Sequence, residues 1–579
     1  MELSHLIIDA IWRPSFVLKY HELHDHFHSS SGRIGPPSWD RSSLNPRNRA
    51  DSLDTSSSRW RIDGATICGS CVFAVPLDLL PDLPPLRIML YLSDQTEYPA
   101  ALRHSLDACV GVPVRDGMAI SRLGIAKHLC RALDHHCAQN PGFLKQYLKL
   151  PFGSRLIFED ITPDIADMRL EIERDYVAET DMKTVQSLQQ SWSDVTPDDW
   201  PPTVDINDLR LVRQLNDTVS LVETHDQTPA IFKAVSDSSH HLYHELRFLL
   251  SSPPQPHIMP RPLAVVTKKS AFGGKQGVIG VLLQYFGAGS LRDILPARQR
   301  AGTLPNSVKL RWCRQVASAL AHLHQAGTFY SDLRPDNVLL DSGENVVLCD
   351  FEQRGNWYEW CAPEVLYRQY AENIRARLPD RTINSPFDRL LKGYARSHTL
   401  SPSNCYTATE NPIEVRNRAW FALPPVAREK AVVYSLGLFI YSVFEGMSNV
   451  QHNLANKFPI EPEVEFPTFR RTPEAIKKII QRCTVDVPDW EAAGLQSESS
   501  RLIRVDGLLY PVTQPNLERD TRRTFDTVMA TSLRFWNIEL ARAEKFLESP
   551  EWETGNFGRN RPSLRDVVEA LESLPGDLN

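Results

Sequence analysis

Tyr330-Ser331-Asp332-Leu333-Arg334-Pro335-Asp336-Asn337-Val338-Leu339-Leu340, followed closely by Val346-Val347-Leu348-Cys349-Asp350-Phe351, is the stretch whose reading decides the fold. An Asp and, five residues later, an Asn precede two short apolar runs of strand length, and a second Asp stands at the end of the second run. Carboxylates and amides of this kind serve as proton acceptors or as oxygen ligands for a hard divalent cation. The functional reading of the chain turns on this cluster.

At 579 residues the chain is long enough to bury more than one core. Dividing by about 150 residues gives a soft prior of up to about four domains, and the punctuation favours two folded units. A net charge of -7 and the lack of a long Lys/Arg run argue against nucleic acid or an anionic membrane as primary partner. No stretch reaches the length of a membrane span, and Glu2 and His5 near the start do not resemble a secretion signal. An intracellular protein, cytoplasmic or nuclear, is expected. Ten cysteines in so long a chain do not make a disulfide framework and read as buried thiols.

Residues 1–60 read as an N-terminal segment whose part from 28 to 60 is a flexible linker, rich in Ser, Pro, Arg, Asp and Gly. Residues 61–195 read as a small mixed α/β unit of unknown function. It has apolar runs at Ala65 to Leu77 and Leu86 to Leu92, then helical patterns at Leu102 to Val110 and Ala119 to Cys137. Cys68-Gly69-Ser70-Cys71 has redox or zinc spacing, but Cys130 and Cys137 do not supply a second pair, so two thiols in a half-buried strand are expected. The polar stretch from Ser191 to Thr203 separates this unit from the rest of the chain.

From 205 to 579 the elements fall in a definite order. Leu209 to Leu215, Val219 to Glu223 and Pro229 to Val235 read as strands, the third carrying Lys233. A helix is expected from Ser239 to Ser251, with Leu242, Leu246 and Leu249 on one face and Glu245 beside them. Val278 to Phe286 reads as a buried strand. Val308 to Gln325 has apolar residues at 310, 313, 316, 320 and 323, a helix that delivers the chain to Tyr330. Farther on stand Ala362-Pro363-Glu364 and, before the last helix, Arg561-Pro562-Ser563.

These residues together resemble the eukaryotic protein kinase superfamily, with a catalytic loop of the Ser/Thr type, over about two thirds of the chain. The resemblance implies an α+β, bilobal fold (small β-rich lobe, large helical lobe) preceded by the mixed α/β unit. It implies ATP and Mg2+ as cofactors, with Asp332 as the base and Arg334 in place of a Lys that meets the γ-phosphate. Asn337 and Asp350 match the metal ligands. Lys233 and Glu245 match the ion pair that holds the α- and β-phosphates, while Leu283 and the backbone about Tyr285 match the adenine-facing segment. Glu364 and Arg561 match a pair joining the end of the activation segment to the last helix.

The departures are as specific as the matches. Leu215-Asn216-Asp217-Thr218-Val219-Ser220-Leu221-Val222 takes the place of the phosphate-covering loop and has no Gly, so nucleotide binding is expected to be weak or differently organised. The catalytic-loop triplet is Tyr330-Ser331-Asp332, and the metal-ligand triplet is Asp350-Phe351-Glu352. Val432 stands where the family has an Asp that braces the catalytic loop. Between Phe351 and Ala362 there is no Ser or Thr, and Ser331 replaces the Arg that would receive a phosphate there, so control by activation-segment Ser/Thr phosphorylation is not expected. Insertions near 365–429 and 485–560 set the chain apart, the second with an amphipathic helix through Phe525, Val528, Met529, Trp536, Leu540, Ala543 and Leu547.

The leading functional expectation is a Ser/Thr-type protein kinase moving the γ-phosphate to a protein hydroxyl. The alternatives are a pseudokinase serving as a binding or scaffold module, and a small-molecule kinase. A protein substrate is expected; the inserted helix reads first as a packing element, and it or the N-terminal unit is the alternative surface for a further partner.

Overall fold

The computed structural model describes residues 10, 13–18, 20, 58–65, 71–92, 124–159, 161–162, 164–236, 238–271, 273–375, 377–378, 387–395, 418–450, 466–485, 502–505, 508–511 and 521–576. Most of the linker and the helical pattern at Leu102 to Val110 lie outside these residues, as do Cys68 to Ser70. One correction falls at the linker's end: Trp60 is not linker but opens a strand, because its indole is buried against Phe143 and Tyr147.

The first sheet has the order β1 (Trp60–Ala65), β2 (Cys71–Pro76), β3 (Met89–Leu92), β4 (Arg155–Phe158), β5 (Leu170–Glu173). β3 and β4 run parallel and the other pairs antiparallel. A parallel pair needs a long crossover, and the β3–β4 connection carries helix α1 (Gly124–Gln139), whose Ile125, Leu129 and Leu133 enter the core under β1. Cys71 lies in β2, where burial pushes its thiol up to about 12, the state of an inert core thiol.

The second sheet has six strands, β6 (Thr203–Asp205), β7 (Arg210–Gln214), β8 (Val219–Glu223), β9 (Pro229–Ala234), β10 (Ala264–Lys269) and β11 (Gln276–Gln284), in the order β6-β10-β11-β9-β8-β7. β7 would present an open edge, but the first sheet covers it. Asp63 accepts from Gln214 N at 2.8 Å, Arg61 Nη2 donates to Val212 O at 2.8 Å, and Leu211 N donates to Leu83 O at 2.7 Å. The segment between the sheets packs against β11 and against helix α2 (Ser239–Ser251), which begins at the Ser238 cap. There the Tyr243 hydroxyl accepts from Lys183 N at 2.8 Å and donates to Val278 O at 3.0 Å. Gly277 permits this approach, because a Cβ on it would lie 2.3 Å from Met182 Cγ.

The remainder is mainly helical, and its helices include α3 (Leu291–Arg300), α4 (Asn306–Gln325), α5 (Pro363–Arg375), α6 (Asp388–Ala395), α7 (Pro425–Glu445), α8 (Thr521–Leu547) and α9 (Leu564–Glu572). The β12 (Val338–Leu340) and β13 (Val346–Leu348) hairpin sits beside α4. α7 is apolar nearly all round and forms the centre of this part, as a helix buried on every side requires.

Two features were not foreseen. Pro363 and Glu364 open a helix of 13 residues, so the first insertion begins as regular structure. The two insertions also pack on each other. α8 contributes Met529, Trp536, Leu540, Ala543 and Leu547 to the core, Tyr370 of α5 meets Trp536 edge-on at 5.4 Å, and Trp552 Nε1 donates to Gly393 O at 2.9 Å. Near the chain's start, Ala10 O accepts from Trp536 Nε1 at 2.6 Å.

Glu364 and Arg561, 197 residues apart, meet in two nearly parallel bonds of 2.8 and 3.0 Å, each side chain 1% exposed. Tyr434 of α7 lies under the guanidinium at 4.9 Å, and Lys430 O takes a further bond from it at 3.1 Å. Removing either partner leaves an unpaired buried charge, which costs about 3 to 5 kcal/mol. Arg561→Ala and Glu364→Ala are each expected to lower denaturant stability by that amount, with the double variant losing less than the sum. Additive losses in urea titrations of the three variants would show that the two charges act separately.

Candidate active site

Lys233 lies on β9 between Val219 of β8 and Val281 of β11, which aims its side chain at α2. Its ammonium is 2.6 Å from Glu245 Oε2, 2.7 Å from Asp350 Oδ1 and 3.2 Å from Glu352 Oε1. Burial alone would favour the neutral amine, but the charges of Asp350, Glu245 and Glu352 outweigh it and hold the Lys233 pKa well above its ordinary value. Burial pulls Asp350 the other way, yet Lys233 brings its carboxyl below the usual range. Glu245 also accepts from Phe351 N at 3.0 Å, so one carboxylate ties β9, α2 and the segment after β13. Phe351 is stacked on Phe248 of α2 at 4.4 Å and tilted against Tyr330 at 5.2 Å.

The second group stands on the loop between α4 and β12. Asp332 Oδ2 is 3.1 Å from Arg334 Nε and accepts from Asn337 Nδ2 at 3.0 Å, while Asp332 Oδ1 accepts from Trp357 N at 3.2 Å. Arg334 lies over the Trp357 ring at 5.1 Å. Burial raises the Asp332 pKa, and Arg334 opposes the shift without cancelling it. Cys349 N donates to Asn337 O at 3.0 Å and Tyr330 donates to Cys349 O, which fixes the two groups relative to each other.

The structure therefore brings Lys233, Glu245 and Asp350 together, and Asp332, Arg334 and Asn337 together, with Asp350 close enough to both Asp332 and Arg334 to influence their ionisation. Leu283 and Tyr285 stand apart from these charges. Leu283 is buried in β11 opposite Ile231, and Tyr285 follows the strand, 38% exposed. The oxygen donors fit magnesium: a carboxylate at Asp350 and, once the Asn337 Nδ2 is committed to Asp332, an amide carbonyl at Asn337. Glu245, Asp350 and Glu352 offer oxygens within 4.8 Å of one another, around Lys233.

Several contributors escaped the sequence reading. Asn216, in the loop without glycine, accepts from Thr218 N at 2.9 Å and Val219 N at 2.7 Å, so its side chain satisfies the turn's own amides. Its position at the start of a turn was the available signal. Arg292 of α3 pairs with Asp336 at 2.7 Å, and Glu359 is buried near them. Neither has a local pattern that would single it out.

Residues 233–374 match a family model described as Protein kinase domain. The serine/threonine-protein kinase UCNL of Arabidopsis thaliana is 25% identical over 224 residues, 35% of this chain and 53% of that protein. Ribosomal protein S6 kinase beta of Caenorhabditis elegans is 32% identical over 105 residues, covering 16% of this chain and 18% of that protein. Serine/threonine-protein kinase Sgk1 of Rattus norvegicus is 39% identical over 71 residues, 10% of this chain and 16% of that protein. The chain thus spans about half the length of the first of these relatives and under a fifth of the other two.

Burial moves the Glu359 carboxyl up from 4.5 to about 7, with Arg292 partly opposing the shift. A folded-state pKa above the unfolded value means that the stabilising proton is fully held below 4.5 and lost as pH rises through about 7. Glu359→Gln should remove that dependence. The difference between parent and variant in urea stability is expected to change by about 3 kcal/mol from pH 4 to pH 8, and a flat difference would show that Glu359 titrates as an ordinary carboxyl.

Proposed function

We propose that this chain, which belongs to the protein kinase superfamily, is a bilobal, ATP-dependent phosphotransferase acting on a protein Ser or Thr hydroxyl. The observation that carries the reading is the convergence of Lys233, Glu245 and Asp350 on one side with Asp332 and Asn337 on the other, with Phe351 packed inward on α2. Lys233 would bind the nucleotide's α- and β-phosphates while Glu245 holds it in place. Asp350 and Asn337 would hold magnesium, which supplies charge neutralisation for the transferred group. Leu283 and the backbone about Tyr285 would meet the adenine. Asp332 would orient the acceptor hydroxyl and take its proton as the phosphoryl group reaches the oxygen, and its raised pKa favours that task. Arg334, stacked on Trp357 beside Asp332, would meet the γ-phosphate. We place the activity in an intracellular compartment; among the described residues, no helix is long and apolar enough to cross a membrane.

A second reading, a pseudokinase serving as a binding or scaffold module in which a nucleotide is structural or absent, is favoured by one observation: in the loop that has no Gly, Asn216 already takes the amides of Thr218 and Val219. The buried Glu364–Arg561 pair supports a protein kinase over a small-molecule kinase, a class that lacks that pair.

The deciding experiment measures nucleotide binding and phosphate transfer to a panel of Ser/Thr peptides. Asp332→Asn is expected to cut transfer by at least about 100-fold while leaving nucleotide affinity within about twofold, because the base acts on the acceptor. Asp350→Asn should weaken magnesium-dependent binding. Saturable binding with no transfer by the parent protein would favour the second reading, and transfer surviving Asp332→Asn would place the base elsewhere.

A further inference from the structure

The support of the Asp332 loop is not where the resemblance would put it. Val432 on α7 is a buried apolar side chain and has no group that could accept a hydrogen bond from that loop. The loop's backbone is instead held by Gln353. The Gln353 Oε1 accepts from Ser331 N at 3.1 Å, and its Nε2 donates to Phe329 O at 2.6 Å. A single amide thus clamps the peptide groups on both sides of Tyr330, the residue that delivers Asp332. Gln353 does this from a left-handed backbone conformation, φ +54°, which an unbranched L-residue adopts only when its surroundings over-determine it.

The clamp is continued by its neighbours. Gly355 N donates to Ser331 Oγ at 3.3 Å, and Asn356 Nδ2 donates to Ser435 Oγ of α7 at 3.1 Å. Ser435 Oγ in turn donates to Trp360 O at 2.7 Å. Support therefore runs from α7 to the short segment after Asp350, and from that segment through Gln353 to the loop. No link in this series carries a charge, and the segment has no Ser or Thr whose phosphorylation could complete it.

We propose that Gln353 is the positioning residue that sets the Asp332 loop, replacing both a brace from α7 and a phosphate-dependent fastening. This rests on the phosphotransferase reading for its catalytic consequence. A base displaced by a fraction of an ångström loses in-line contact with the acceptor, and displacements of about 1 Å cost on the order of 100-fold in rate. Nucleotide contacts at Lys233 and Asp350 do not pass through Gln353, so affinity should be spared.

The test uses the full chain and Gln353→Met, which preserves length and volume while removing both polar atoms. The expected result is a fall in kcat of about 10- to 100-fold, nucleotide affinity within about twofold, and deuterium uptake of the peptide spanning Phe329–Leu333 at least about tenfold faster. Unchanged uptake in that peptide overturns the proposal, and so does a loss of nucleotide affinity parallel to kcat. If the parent protein transfers no phosphate, the phosphotransferase reading fails on its own, and the uptake measurement alone decides whether Gln353 positions the loop. Gln353→Asn, with its amide one methylene short, serves under the same criteria if Gln353→Met does not fold.

Discussion

The Lys233 ammonium is the contact on which the rest of the cleft depends. Glu245, Asp350 and Glu352 converge on it from α2 and from the segment after β13, and three carboxylates so close would repel one another without a cation between them. A buried charge of this kind is tolerated only when fully paired, so the ammonium fixes where α2 and Asp350 can be. α2 is held from its other face as well, through the Tyr243 hydroxyl that joins Lys183 N to Val278 O. α2 is thus tied on one face to Lys233 of β9 and on the other to Lys183 and Val278.

The loop between β7 and β8 follows a different logic. A glycine-rich loop leaves its amides free at the cost of conformational entropy, whereas here Asn216 satisfies the turn from within and Leu215 N donates to Val219 O at 2.8 Å. The neighbouring edge, β7, is bonded to the first sheet through Asp63, Arg61 and Leu83. A rigid turn and a covered edge reinforce each other, since an edge held by side-chain and backbone bonds cannot twist with a flexing loop.

The strands and helices that carry the charged residues were legible in the sequence nearly to the residue, as at Val219–Glu223 and Ser239–Ser251. Hydrophobic period, chain punctuation and the spacing of Asp332, Asn337 and Asp350 are local signals, and local signals survive without an alignment. What could not be read were bonds from a side chain to a distant backbone or side chain: Gln353 to Phe329, Asn356 to Ser435, Arg61 to Val212. Such bonds have no period, and a Gln on a short loop looks the same whether it faces solvent or clamps a peptide. The mutual packing of the insertions was hidden for a related reason. The apolar face of α8 announces burial, but only the fold shows that α5 and α6 are what it is buried against.

The segment from Asp350 to Glu364 shows how these two kinds of contact divide the work. Its ends are fastened by charge, Asp350 in the carboxylate cluster at Lys233 and Glu364 on the Arg561 fork. Between them, neutral groups of Gln353, Gly355 and Asn356 bond the segment to the Asp332 loop and to α7, alongside the ionisable Glu352, paired with Lys233, and Glu359, buried near Arg292. Charged contacts in a desolvated site are strong but make position hostage to ionisation, while neutral amide contacts are weaker and indifferent to pH or phosphate. A segment this short, pinned at both ends and bonded along its middle, has little slack in which to adopt a second arrangement. Asp332 is itself held by Trp357 N, Arg334 and Asn337, so any change in its accessibility has to disturb one of those contacts.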